Sequence, residues 1–172
     1  LIFDKNEVEF DRFFYSEKMH NQLIVNPEGI SLERINYDLT KKSIWTSAAL
    51  DFGFATPGSP NSQRFTENIK NVFYAEPMVF NPYQPNGTPI TYLKYNLNGQ
   101  GFAAQIDIMD KNGKLVRNLT NNSILGSNGE IEWDGLSNSG ELLPVGYYVF
   151  RVKLYSAKIN QDFLVKCVIG SN

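Results

Sequence analysis

The chain carries one histidine, His20, and one cysteine, Cys167. A Cys–His nucleophilic pair would need these two distant residues to meet. Cys167 lies on the apolar parity of "DFLVKCVI", which predicts a buried, inert thiol. His20 closes the loop "SEKMH" and reads as a structural residue. Zinc asks for three or four His or Cys ligands in a closed site, which this chain does not supply. Glu7, Glu9 and Asp11 recur at period two, so they are expected along one strand face, solvated rather than paired for acid–base work. Glu33 and Arg34 in "SLER" are neighbours that point to opposite strand faces, and an ion pair with a loop elsewhere is their expected use. No Gly-rich phosphate loop opens a helix, and no G-x-S-x-G elbow is present.

Two further sets of residues suit binding. The stretch "DGLSNSGE" offers hard oxygen ligands, with Asp134, Asn138 and Glu141 as candidate calcium ligands and Ser137 and Ser139 beside them. "DKNG" adds Asp110 and Asn112. The same residue types build turns, and the turn is the favoured reading of both stretches. Calcium is the one cofactor the sequence leaves open. Tyr83, Tyr92, Tyr147 and Tyr155 could stack on sugars, with sandwich packing as the competing explanation.

These residues need a scaffold, and composition bounds it. The chain has 172 residues, 42% hydrophobic and 13% aromatic, enough to bury a core in one domain or two small ones. Its net charge of −2 gives no electrostatic footprint for nucleic acid or an anionic membrane. No apolar run approaches the roughly 20 residues of a membrane-spanning helix. A single cysteine rules out an internal disulfide. The first residue is Leu1, not methionine, so the chain is expected to be a piece of a longer protein.

Prolines, glycines and asparagines punctuate the chain, and between them the apolar residues alternate, which predicts an all-β sandwich or barrel. Leu93, Tyr95 and Leu97 share one face, as do Phe102, Ala104, Ile106 and Ile108, with Gln105 and Asp107 opposite. Asn112-Gly113 predicts a two-residue hairpin in which both residues take positive φ. Ile131 and Trp133 alternate with Glu130 and Glu132, placing Trp133 as a core anchor beside a hairpin loop. Tyr148, Phe150, Val152 and Leu154 then share a face, followed by Phe163, Val165, Cys167 and Ile169. Earlier, "VEFDRFFY" and "GISLERI" read as strands, and Asn36 to Gln63 reads as loop.

From about residue 72 onward, "IDIMDKNGKLVRNL" followed by "GEIEWDGLSNSGELLPVGYYVFRV" resembles the Ig-like family typified by the Ig-like domain of the flagellar hook-capping protein. Trp133, Asp134, Gly135, Gly140, Gly146 and Tyr148 carry the signature. "YSEKMH", "GISLERI", "WTSAA" and "ATPGSPNSQ", in that order, resemble the C-terminal half of a bacterial lamin-tail-like domain, another Ig-like sandwich. The expected organisation is a partial lamin-tail-like module over 1–65, a linker over 66–72 and an Ig-like β-sandwich over 73–172. Half a sandwich leaves strand edges and an apolar face open, so residues 1–65 are expected to pack on the Ig-like domain or on a second copy.

The resemblances imply a non-enzymatic C-terminal accessory module of an exported or cell-surface bacterial protein, serving anchoring, spacing, adhesion or export. Its partner would be the parent polypeptide upstream of Leu1, with polysaccharide or another surface protein beyond it. A polysaccharide-binding module, calcium-assisted or not, is the alternative. A third reading is the auxiliary region of a secreted nuclease or hydrolase whose active site lies upstream.

Overall fold

The computed structural model describes all residues but 1, 4, 8, 36–43, 65–69, 85 and 172. Among the described residues there are strands and two single 3-10 turns, Glu17–Met19 and Leu50–Phe52, and no α-helix. The protein is all-β.

The N-terminal part is built from small pieces. Strands β1 (Ile2–Phe3) and β2 (Glu9–Asp11) pair antiparallel, as do β3 (Leu32–Arg34) and β4 (Trp45–Ser47). Three expectations are corrected here. The strand read across "VEFDRFFY" stops at Asp11, leaving Phe13 and Phe14 exposed at 39% and 72%. Glu7 takes a left-handed φ of 63°, so it does not continue a carboxylate row with Glu9 and Asp11, and Glu9 is instead clasped by Arg12. The stretch read as loop contains β4, whose three residues are followed by the fully buried Ala48 and Ala49.

The rest is a β-sandwich. One sheet holds β5 (Val72–Glu76), β7 (Thr91–Asn96) and β10 (Asn128–Trp133), ordered β10–β7–β5 and antiparallel. The other holds β6 (Val79–Phe80), β8 (Ala103–Asp110), β9 (Leu115–Ile124), β11 (Gly146–Tyr155) and β12 (Asn160–Ile169), ordered β6–β12–β11–β8–β9. Only β6 with β12 is parallel among these pairs.

Alternation fixes which faces meet. Tyr148, Phe150, Val152 and Leu154 are all buried on β11, opposite Leu93 and Tyr95 of the other sheet. Trp133 is 1% exposed and ringed by Phe80, Tyr148 and Phe150 at 5.3, 5.4 and 5.8 Å, each edge-on. Its Nε1 donates to the Leu136 carbonyl at 3.1 Å, so the indole is buried without an orphaned donor. Removing roughly 200 Å² of such surface from water is worth about 5 kcal/mol as an upper bound.

The strand ending at Trp133 does not form a hairpin with β11. β10 and β11 lie in different sheets, so "DGLSNSGELLPV" carries the chain from one layer to the other. Gly135 begins that crossing at φ 80°, where a Cβ would come within 2.9 Å of Pro82. The tight turn after Asp110 also differs from expectation. Only Gly113 takes a positive φ, of 78°, while the Asp110 carboxylate accepts the amides of Asn112 and Lys114, each at 2.9 Å. This is a three-residue loop ending in a left-handed glycine, not a two-residue one.

Candidate functional site at the junction of the two parts

A buried polar cluster lies where the N-terminal part meets the sandwich. Glu33 on β3 is 4% exposed. Its carboxylate accepts from the Thr56 hydroxyl (2.6 Å), the Ser62 amide (3.1 Å), the Ser62 hydroxyl (2.8 Å) and the Gln63 amide (3.0 Å). The ion pair expected for this residue is replaced by neutral donors from one loop. Four donors satisfy the lone pairs that burial would otherwise leave stranded. The cluster therefore offers structure and no free base.

From Ser62 and Gln63 the network crosses to the sandwich. The Ser62 carbonyl accepts from the Ser127 amide and hydroxyl at 2.8 and 3.1 Å. Gln63 is fully buried; its Nε2 donates to the Leu125 carbonyl (2.8 Å) and its Oε1 accepts from the Gly101 amide (3.0 Å). The Ser62 hydroxyl also accepts from the Ala49 amide, and His20 Nδ1 lies 2.9 Å from the Ser47 hydroxyl. Residues of "YSEKMH", "GISLERI", "WTSAA" and "ATPGSPNSQ" thus bond to one another. His20, 7% exposed, is a packed structural residue.

A second contact crosses nearby. The Tyr95 hydroxyl on β7 donates to Asp51 Oδ2. Burial pushes the Asp51 carboxyl up, against the lowering effect of the Tyr95 hydrogen bond and of the Asp51 and Gly126 amides. Tyr95 is raised too, by burial and then by the Asp51 charge. Gly129 lies beneath this pair, where a Cβ would overlap both the Asp51 carboxylate and the Tyr95 hydroxyl. Composition gave no hint of Asp51; the only trace in the sequence is a glycine opening a strand that otherwise alternates.

The sequence-derived candidates are dispersed. Asp134 Oδ1 accepts the Leu136 amide (3.0 Å), and Asn138 Oδ1 accepts the Asn118 amide (2.9 Å). Glu141 Oε2 accepts from the Ser139 hydroxyl (3.2 Å). Asp134 and Glu141 serve the turn itself, which the Leu136–Leu142 bridge also pins, while Asn138 ties the turn to β9. Among the described residues no group of three or more His, Cys, Asp or Glu side chains gathers for a metal. Asp110 spends its carboxylate on its own turn, as above.

Of the tyrosines, Tyr92 lies on the three-stranded sheet, apart from Tyr147 and Tyr155 on the other. Tyr147 and Tyr155 stand at opposite ends of β11, about 26 Å apart at strand rise. Tyr155 donates to Asn122, and Tyr83 donates to the Leu143 carbonyl at 2.7 Å. Tyr83 and Tyr147 are 47% and 58% exposed, and each lines a surface depression that includes Val145. Lys166 Nζ sits 4.3 Å over the Tyr147 ring.

One aromatic cluster has no counterpart among the sequence-derived candidates. Phe13 stacks on Trp45 at 4.3 Å, Tyr15 meets the His20 ring at 6.0 Å, and Arg34 lies 5.8 Å from the Trp45 ring. Cys167 is fully buried with its thiol pushed up to about 12 by burial, which leaves it without nucleophilic character.

No helix among the described residues is long and apolar enough to cross a membrane. No curated protein matches the chain. Two solved structures share 17% identity with it, both from Porphyromonas gingivalis. PorZ, an essential bacterial surface component of the type-IX secretion system, aligns over 58% of this chain with a TM-score of 0.40. Dimeric latent PorU aligns over 75% with a TM-score of 0.42. The chain spans 11% of the length of each. Residues 83–158 match the family model of the FlgD Ig-like domain, from Tyr83 to the loop before β12, so the sandwich described above carries a FlgD-type Ig-like domain.

Proposed function

We propose that this chain is the C-terminal accessory part of an exported or cell-surface bacterial protein, with a non-catalytic role in anchoring, spacing, adhesion or export. The FlgD Ig-like match over residues 83–158 carries this reading. The fate of the reactive residues supports it: Glu33, His20 and Cys167 are buried in packing or hydrogen bonds that join strands and loops. Residues 1–65 act in this account as a lamin-tail-like half-module seated on the sandwich. The parent polypeptide upstream of Leu1 is the first partner.

Deleting residues 1–172 from the parent protein tests this. The parent should be mislocalised or released while keeping its own activity in a soluble assay. Unchanged location together with lost activity would overturn the anchoring role and favour an auxiliary region of a secreted hydrolase.

A second reading has one observation in its favour, the exposed Tyr83 and Tyr147 flanking Val145. Two aromatic faces at one corner suit a sugar platform. Glycan-array binding by the full chain, abolished by Tyr147→Ala, would establish it. Repeating the array in chelator would report on calcium at Asp134, Asn138 and Glu141, and a blank array in both buffers would remove the reading.

A further inference from the structure

We propose that the contact of Asp51 with Tyr95 and Gly129 is an acid-strengthened clasp, which holds the N-terminal part on the sandwich more firmly as pH falls. Asp51 belongs to the short turn Leu50–Phe52, and the groups that receive it belong to the sandwich. Its two oxygens are unlike. Oδ2 accepts the Tyr95 hydroxyl, whereas Oδ1 is shut off from solvent and has no hydrogen-bond partner among the described residues. The amides of Asp51 and Gly126 approach closely enough to favour the charged form, without a well-formed bond to Oδ1.

No cation among the described residues answers this carboxylate. Tyr95 is the titratable group facing it from β7, and Gly129 faces it from β10. The loop between β9 and β10 (Leu125–Ser127) presents no ionisable side chain, and neither do Leu50 and Phe52 on its own turn. Lys94 and Glu130, next along β7 and β10, point to the opposite face of the sheet and lie 3.9 Å from each other. Arg64 donates to Asn128 Oδ1 at 3.1 Å. A negative charge placed here is desolvated with one side-chain hydrogen bond to support it.

Burial raises the Asp51 carboxyl above its reference of 3.8, so the folded state takes up its proton at a higher pH than the open one. The stabilisation from proton uptake is therefore fully present below 3.8 and is lost as pH rises through the higher folded midpoint. Each unit between the two midpoints changes the closed-to-open ratio of the clasp about tenfold.

Two measurements on the full chain decide it. The Asp51 side-chain carboxyl, followed by carbon NMR, should titrate above 3.8. Hydrogen-exchange protection factors, corrected for intrinsic rates, should rise between neutral and mildly acidic pH at Phe52, Gly53 and Ser127. They should stay level at Phe150 and Val152. In Asp51→Asn the junction amides should be protected at neutral pH at least as well as in the wild type, with that part of the pH dependence gone. Tyr95→Phe removes the hydrogen bond that favours the charge, so its pH dependence should be steeper than wild type. A midpoint at or below 3.8, or junction protection that changes with pH identically in Asp51→Asn and wild type, would overturn the clasp. If either variant fails to fold, the wild-type carboxyl titration is decisive by itself.

Discussion

Replacing Glu33 by glutamine tests whether the junction is organised around a buried carboxylate. Glutamine keeps the size and one carbonyl oxygen, so two of the four donors retain an acceptor. The other two then face an NH2 group. The Ser62 hydroxyl can rotate, but the Gln63 amide cannot, and a buried orphan N–H costs about 1–3 kcal/mol. The retained bonds also weaken, since hydrogen bonds to a charged group contribute about 1.5–3 kcal/mol against about 1 for neutral ones. The combined loss is about 3 kcal/mol, or a fall in Tm of about 6–12 °C for a chain of this size. Ser62 and Gln63 also hold Ser127, Leu125 and Gly101 across the junction, so the damage should spread there first. Urea unfolding gives the magnitude and hydrogen exchange gives the location. A change within about 0.5 kcal/mol of zero would refute the reasoning, because it would mean the four bonds add nothing over a neutral amide.

Gly129→Ala should destabilise by about 3 kcal/mol or more, because the added methyl overlaps the Asp51–Tyr95 pair from a strand that cannot yield; calorimetry of the purified variant reads it, and Asp51→Ala in the same chain should recover part of the loss. Cys167 should resist a thiol reagent at about pH 8 in the native protein and react at once in denaturant, since its thiol is pushed up to about 12 and fully buried. Fast native labelling would contradict that burial.

How far the sequence disclosed this molecule depends on which interaction decided each feature. Strands β7, β8, β11 and β12 were legible because one face of each is buried, and burial writes a period of two into the sequence. The placement of β10 and β11 in different sheets was not legible. Alternation marks Trp133 and Tyr148 as inward but says nothing of which neighbour each strand pairs with. Asp107 shows the limit from the other side: it has polar parity on β8, yet it is 5% exposed and bonded to Gln105 and Asn118. The candidate ligands Asp134 and Asn138 were ambiguous for a chemical reason, since turns and hard cations draw on the same oxygens. Glu33 was expected to form an ion pair with a distant loop, and the loop is there, 23 to 30 residues away, but it offers neutral donors and no cation. Val8 and the stretch 36–43 lie outside the described residues, as does 65–69, most of the linker read over 66–72.

The position of β12 sets an order on assembly. This last strand of the sandwich lies between β11 and β6, antiparallel to one and parallel to the other. Until residues 160–169 have been synthesised, β6, which supplies Phe80 to the wall around Trp133, has no strand partner in its sheet. A chain growing from its N-terminus therefore cannot close this core early. It closes only when β12 is made, through contacts distant in sequence.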